Sequence, residues 1–167
     1  MKIRSLFIKM EAKVELSPEN KKGTIYAICT SKTKGIQKEP VDEISLKKNH
    51  GIEGDAHAGN WHRQVSLLSL TSVNYMKNKG APVDKGSFGE NIIVDGMEVD
   101  LLPVGTLLHL GKDVILKVTQ IGKECHDMCA IGKIVGECVM PKKGIFCEVI
   151  EEGLLHCGEK IEVIETA

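Results

Sequence analysis

The chain has 167 residues, of which 42% are apolar and 27% charged, with a formal net charge of -1. That balance describes one soluble globular domain with a single core. It gives no whole-chain electrostatic case for nucleic acid or an anionic membrane, so neither partner is expected. Six cysteines stand at 29, 125, 129, 138, 147 and 157. Residues 1–10 hold too short an apolar run for a secretory segment, and no run is long enough to span a bilayer. The expectation is a cytoplasmic, reducing setting with cysteines free, metal-bound or catalytic, although the even count keeps disulfides open.

In chain order, residues 1–23 are mostly polar and read as a flexible leader, with the domain proper over 24–165. Residues 24–30 (TIYAICT) are rich in β-branched and aromatic residues and read as a first strand. Residues 31–35 read as a turn. Residues 37–40 should be extended before Pro40. Val41, Ile44 and Leu46 suit a second, irregular strand.

The stretch from Gly51 to Leu68 is the densest in polar groups. It holds two histidines (His57 and His62), Asp55, Arg63, Gln64, several glycines and the single Trp61, and it runs into the apolar segment 65–70. Polar groups on a loop anchored by a packed element are the usual design of a site. Residues 71–79 read as a short helix with Gly80 at its C-terminal end. Phe88-Gly89-Glu90-Asn91 leads into a strand at 92–94, closed by Asp95-Gly96. Strands at 107–110 and 114–119 flank Gly111-Lys112-Asp113 as a hairpin. Further strands are read at 145–150 and 160–164, the last with one wet face. Many short strands without βαβ alternation predict a mainly β protein, a bent-strand β-barrel with one or two short helices.

Several residues suit chemistry. Cys125 follows a strand beside Lys123, Glu124 and His126, and nearby cations favour a thiolate able to carry sulfur or ligate a soft metal. Cys129 and Cys138 compete for that role. Cys125, His126, Cys129 and Cys138 together also suit zinc, although no second close cysteine pair follows. Arg63 offers a planar fork of donors for an oxyanion, unless it pairs with Asp55 or Glu90. His57 and His62 can donate, accept or ligate. Glu90 and Asn91 either reach the same cavity or satisfy a turn. Lys142 and Lys143 are candidates for an anion at the rim, or are simply solvated.

Taken together, Gly54-Asp55-Ala56-His57-Ala58-Gly59 with Arg63-Gln64-Val65-Ser66-Leu67, then Phe88-Gly89-Glu90-Asn91, then Leu102-Pro103-Val104-Gly105 with Leu110-Gly111, then a cysteine after the next strand, resemble the MOSC domain. This is the C-terminal domain of molybdenum cofactor sulfurases, found also as small stand-alone bacterial proteins. The resemblance implies a β-barrel and a domain that binds the molybdenum cofactor (molybdopterin) or carries sulfur on a cysteine as a persulfide. It implies Cys125 as the sulfur-carrying or molybdenum-ligating residue, with Glu124 where the family often has proline. It implies Asp55, His57, Arg63, Gln64, Glu90 and Asn91 as cofactor-binding residues. Partners would be the cofactor or a sulfur donor such as a separate cysteine desulfurase. Pyridoxal phosphate is not expected, because 167 residues cannot also hold a desulfurase domain. Two other readings stand beside this one: a molybdenum cofactor-dependent reductase of N-hydroxylated substrates, and a structural zinc module.

Overall fold

The structure is a computed structural model and describes residues 16–124 and 130–166. Eleven strands, β1 (Lys22–Thr30), β2 (Glu39–Val41), β3 (Glu43–Lys47), β4 (Gly51–Ile52), β5 (Val65–Ser69), β6 (Ile92–Asp95), β7 (Leu107–Leu110), β8 (Val114–Ile121), β9 (Ile145–Glu151), β10 (Gly153–His156) and β11 (Lys160–Glu165), carry the fold. Among the described residues three short α-helices accompany them, α1 (Leu70–Asn78), α2 (Ala130–Val135) and α3 (Met140–Lys143). The fold is mainly β, as expected.

Seven strands close into a barrel in the order β1-β11-β7-β8-β9-β5-β6 and back to β1. Closure removes the open edges that would otherwise template aggregation. The closing pair is antiparallel, with Gly23 opposite Ile161. The register of β1 against β6 shifts between Ile25 and Ala27, a bulge that bends β1. On its other edge β1 pairs first with β11, over Lys22 to Thr24, and then with β2, over Ile28 to Thr30. A separate sheet, β10-β3-β4, lies beside the barrel. Its strand β10 begins at Gly153, the last residue of the turn read at 151–153, where the sequence suggests no strand.

Strand β5 explains why the barrel has two cores. Its side chains alternate, as in any strand. Val65 and Leu67 enter the interior cluster with Ile92, Val118, Ile145 and Cys147. Leu68 joins a second, outer cluster with Val73, Met76, Phe88, Ile131, Met140 and Phe146. Leu67 and Leu68 are both fully buried, each contributing roughly 1.5–3 kcal/mol over an exposed position. β5 and β6 run parallel, Leu67 opposite Ile92, and a parallel pair needs a long crossover. Helix α1 supplies it. Ser69, at the start of α1, does not cap the helix; its Oγ donates to Met97 O and accepts Val99 N–H. Gly80 closes the helix at φ 89°.

Of the stretch read as a leader, residues 1–15 lie outside the described residues. Leu16 is buried against the barrel core, and Asn20 exchanges hydrogen bonds with the Glu98 backbone at 2.7 and 3.2 Å. No described helix is long and apolar enough to cross a membrane.

Candidate functional site

A cavity of about 630 Å³ opens on the outer side of the barrel, beneath the segment bearing α2 and α3. Its floor is Ser66, Asn91 and Phe146 from the barrel; its far wall includes Ile131, Cys138 and Met140. Lys34, His57, Trp61, Arg63 and Lys123 complete the polar side. Among the described residues, no carboxylate lines it. A pocket of this size with a few convergent polar groups is the ordinary form of a small-molecule site.

Arg63 is the cation best placed for a ligand. Its guanidinium carbon lies 4.7 Å from the Trp61 ring centre and 5.5 Å from that of Phe146. These ring faces hold the plane in place without using its N–H donors. Among the described residues Arg63 forms no ion pair, and its Nε is buried with no hydrogen-bond partner. A buried donor left unpaired costs roughly 1–3 kcal/mol, and the cavity-lining guanidinium has further N–H donors to offer an acceptor. Trp61 is itself tied down, its Nε1 donating to His57 O at 2.8 Å. Lys34 Nζ lies 5.8 Å from the same indole. Gly122 helps to position Lys123: at φ 69° a side chain there would meet Pro141 O at 2.2 Å, and Lys123 N–H donates to that same oxygen.

Behind the cavity wall stands a buried charge network. Lys38 Nζ lies 2.8 Å from Asp55 Oδ1, 2.9 Å from His57 Nδ1 and 3.4 Å from Ser31 Oγ. The Lys38 and Asp55 side chains have no solvent exposure. Asp55 also accepts the backbone N–H groups of Ser31 and His57, each at 3.1 Å. Burial alone would raise the Asp55 pKa, but the bond from Lys38 and these two N–H donors together bring it below the ordinary value. His57 is shifted down as well, first by burial and then by the Lys38 ammonium.

The sequence-predicted residues divide into two sets. His57, Arg63 and Asn91 line the cavity. Asp55, Gln64 and Glu90 do not line it; they hold its walls. Gln64 is buried and accepts Val149 N–H through Oε1, fastening β5 to β9. Glu90 is fully buried and accepts Gly86 N–H at 2.6 Å and Phe88 N–H at 2.9 Å. Burial pushes its carboxyl pKa up, with those N–H bonds opposing the shift. Asn91 knits three strands together: Oδ1 accepts Ser66 N–H, and Nδ2 donates to Cys29 O. His62 turns away from the cavity, to Gln120 Oε1 at 2.9 Å. Lys143 pairs with Asp100 at 3.0 Å, and neither Lys142 nor Lys143 lines the cavity. The cations at its rim are instead Lys34 and Lys123.

Cys125, with His126 and Cys129, lies outside the described residues. Cys138 is the one described cysteine that lines the cavity. Cys29 and Cys147 are buried in strands. Burial is the main cause that pushes the Cys29 thiol up to about 12, and it raises Cys147 further. Both act as core residues.

Lys38 is the residue the sequence did not mark. Its backbone N–H donates to Gly86 O at 3.0 Å. Gly86 sits at φ 80°, and a Cβ there would fall 1.9 Å from Lys38 O. The turn organised by Glu90 is thus pressed against Lys38, whose side chain in turn meets Asp55 and His57.

The fold has solved counterparts. The YuaD protein of Bacillus subtilis is similar over 85% of this chain and 95% of its own, with a TM-score of 0.72 and 20% identity. YiiM of Geobacillus stearothermophilus matches 86% of this chain and 75% of its own, with a TM-score of 0.62 and 20% identity. YiiM of Escherichia coli matches 87% and 71%, with a TM-score of 0.62 and 18% identity. No curated protein is significantly similar in sequence. The MOSC domain model, of a family associated with the molybdenum cofactor, matches residues 54–162, well over half of the chain and most of the cavity wall. The chain belongs to the MOSC domain family.

Proposed function

We propose that the cavity receives the molybdenum cofactor, and that the protein binds this cofactor or carries sulfur for it. The observation that carries this reading is the Arg63 guanidinium, packed against the Trp61 and Phe146 rings with no ion-pair partner among the described residues, in a cavity without a described carboxylate. An oxyanion is the ligand such a site favours, and the phosphate of a pterin cofactor is a dianionic one. The volume is adequate for a pterin, and Phe88, Phe146 and Trp61 provide apolar faces for a flat ring. Arg63 would hold the phosphate with Lys34 and Lys123 adding to the field, while His57 and Asn91 would meet polar edges. Cys125 is proposed as the thiolate for molybdenum or sulfur, a soft ligand for a soft bond. When bound, the cofactor supplies redox and sulfur-exchange chemistry at molybdenum. The chain's own residues bind, orient and exclude water.

The test is equilibrium binding of purified molybdopterin, followed by pterin fluorescence, to the wild type and to Arg63→Ala. Saturable binding by the wild type, weakened at least tenfold in the variant, supports the reading. Equal binding by both, or none by either, refutes it. A wild type that, once loaded, reduces an N-hydroxylated purine with an electron donor would be a reductase rather than a carrier.

A further inference from the structure

Lys38 presents a matching of donors to acceptors that fixes the chemistry of another residue. A lysine ammonium has three N–H groups and no acceptor. Three acceptors surround Lys38 Nζ: Asp55 Oδ1 at 2.8 Å, His57 Nδ1 at 2.9 Å and Ser31 Oγ at 3.4 Å. At 2.9 Å from a group that can only donate, Nδ1 must present its lone pair. A proton on Nδ1 would point at an ammonium. Asp55 offers no alternative partner for such a proton, because Oδ2 stands 3.8 Å from Nδ1 and accepts the His57 backbone N–H instead.

We propose that Lys38 is a positioning residue that locks His57 in its neutral form with the proton on Nε2, so that the imidazole offers the cavity a hydrogen-bond donor and no acceptor. The inference rests on the cavity being a ligand site. Lys38 lies behind the wall and His57 lines the cavity. With Nδ1 turned to Lys38, the opposite edge of the ring is the one left for a ligand. The charges facing His57 agree with this. Lys38, Lys34 and Lys123 oppose a second proton on the ring, and Asp55 alone favours it. In a direct Asp–His pair the carboxylate would stabilise an imidazolium. Here the lysine is interposed, and the aspartate serves the lysine.

The consequence is selectivity by ligand atom. His57 and Arg63 both present donors, so the polar wall they form selects phosphate, oxo or carbonyl oxygens. It rejects a group whose only polar atom is an N–H, since donors would then face donors. Charge selection falls to Arg63, Lys34 and Lys123, and His57 adds direction without adding charge.

The test is a long-range proton–nitrogen NMR correlation on the full chain, labelled with nitrogen-15 histidine. His57 is assigned among the six histidines by the loss of its signals in His57→Gln. At pH 7 the expected pattern is an unprotonated Nδ1 and a protonated Nε2. An Nδ1–H tautomer, an imidazolium or the mixture of a free histidine overturns the proposal. In Lys38→Met the lock should be lost and the ring should protonate at higher pH; a variant that folds and keeps the wild-type pattern also overturns it. The wild-type spectrum decides the matter even if that variant does not fold. The molybdopterin titration followed by pterin fluorescence separates this inference from the cavity reading. The predicted tautomer with no molybdopterin binding keeps the lock and overturns the cavity reading. Molybdopterin binding with the wrong tautomer does the reverse.

Discussion

Lys38 Nζ lies 2.8 Å from Asp55 Oδ1, and neither side chain meets solvent. The pair joins the loop after β1 to the loop that carries His57. Removing one partner of a buried ion pair leaves an uncompensated charge and costs roughly 3–5 kcal/mol. Lys38→Met should destabilise the fold by about that amount in urea denaturation. Lys38→Met with Asp55→Asn should cost less than the sum of the two single changes, with a coupling on the order of 2 kcal/mol. Additive effects would contradict a direct pair.

Gly86 tests the backbone side of the same arrangement. A Cβ at Gly86 would sit 1.9 Å from Lys38 O, at φ 80°. Clash and left-handed strain add, so Gly86→Ala should cost roughly 2–4 kcal/mol in the same assay. Gly35→Ala makes the control, since it has φ 79° but no neighbour within 4 Å. The difference between the two variants isolates the contact with Lys38.

The dependence of stability on pH has a defined direction. His57 is shifted below 6.5 and Asp55 below 3.8 in the folded protein. For each, the unfolded chain binds the proton more readily. Their contributions are therefore complete above the unfolded values and are lost as pH falls, His57 first from about 6.5. Glu90 is shifted above 4.5 and acts oppositely, its contribution present at low pH and lost as pH rises through its folded value. Between pH 7 and pH 5 the urea midpoint of the wild type should drop relative to that of His57→Gln, because only the wild type loses the His57 contribution. An unchanged slope in His57→Gln would show that His57 is not the group responsible.

The cysteines should separate by reactivity. Cys157 is exposed, while Cys29 and Cys147 are buried with thiols raised by burial. Alkylation of the native protein at pH 7.5, read by peptide mass spectrometry, should modify Cys157 and spare the two buried thiols. Modification of Cys29 or Cys147 at the same rate as Cys157 would contradict their place in the core.

Much of this fold was legible because its signals are local. Alternation, β-branched runs and Asp95-Gly96 mark strands and turns wherever they occur. Strand β10 was not, because it starts on Gly153, the last residue of what reads as a turn, and its four residues take their meaning from pairing with β3. The site divides in the same way. Arg63, His57 and Asn91 stand out as polar groups near glycines, and all three line the cavity. Asp55, Gln64 and Glu90 stand out equally, yet their oxygens serve Lys38 and backbone N–H groups. Residue type does not say which way a carboxylate faces. Lys38 was invisible because it reads as one more lysine before a proline, and its partners Asp55 and His57 stand 17 and 19 residues away. A lysine becomes a buried hub only through tertiary contacts.

Arg63 and the cavity around it are proposed to hold the molybdenum cofactor. Native mass spectrometry of the protein purified from a host that makes this cofactor tests it most directly, with Arg63→Ala and Cys125→Ser purified alongside. The expected spectra show a molybdopterin adduct on the wild type, depleted at least tenfold in Arg63→Ala, corresponding to about 1.4 kcal/mol or more, and without molybdenum in Cys125→Ser. A wild type free of the adduct, or Arg63→Ala retaining it in full, would rule out this cavity as the cofactor site.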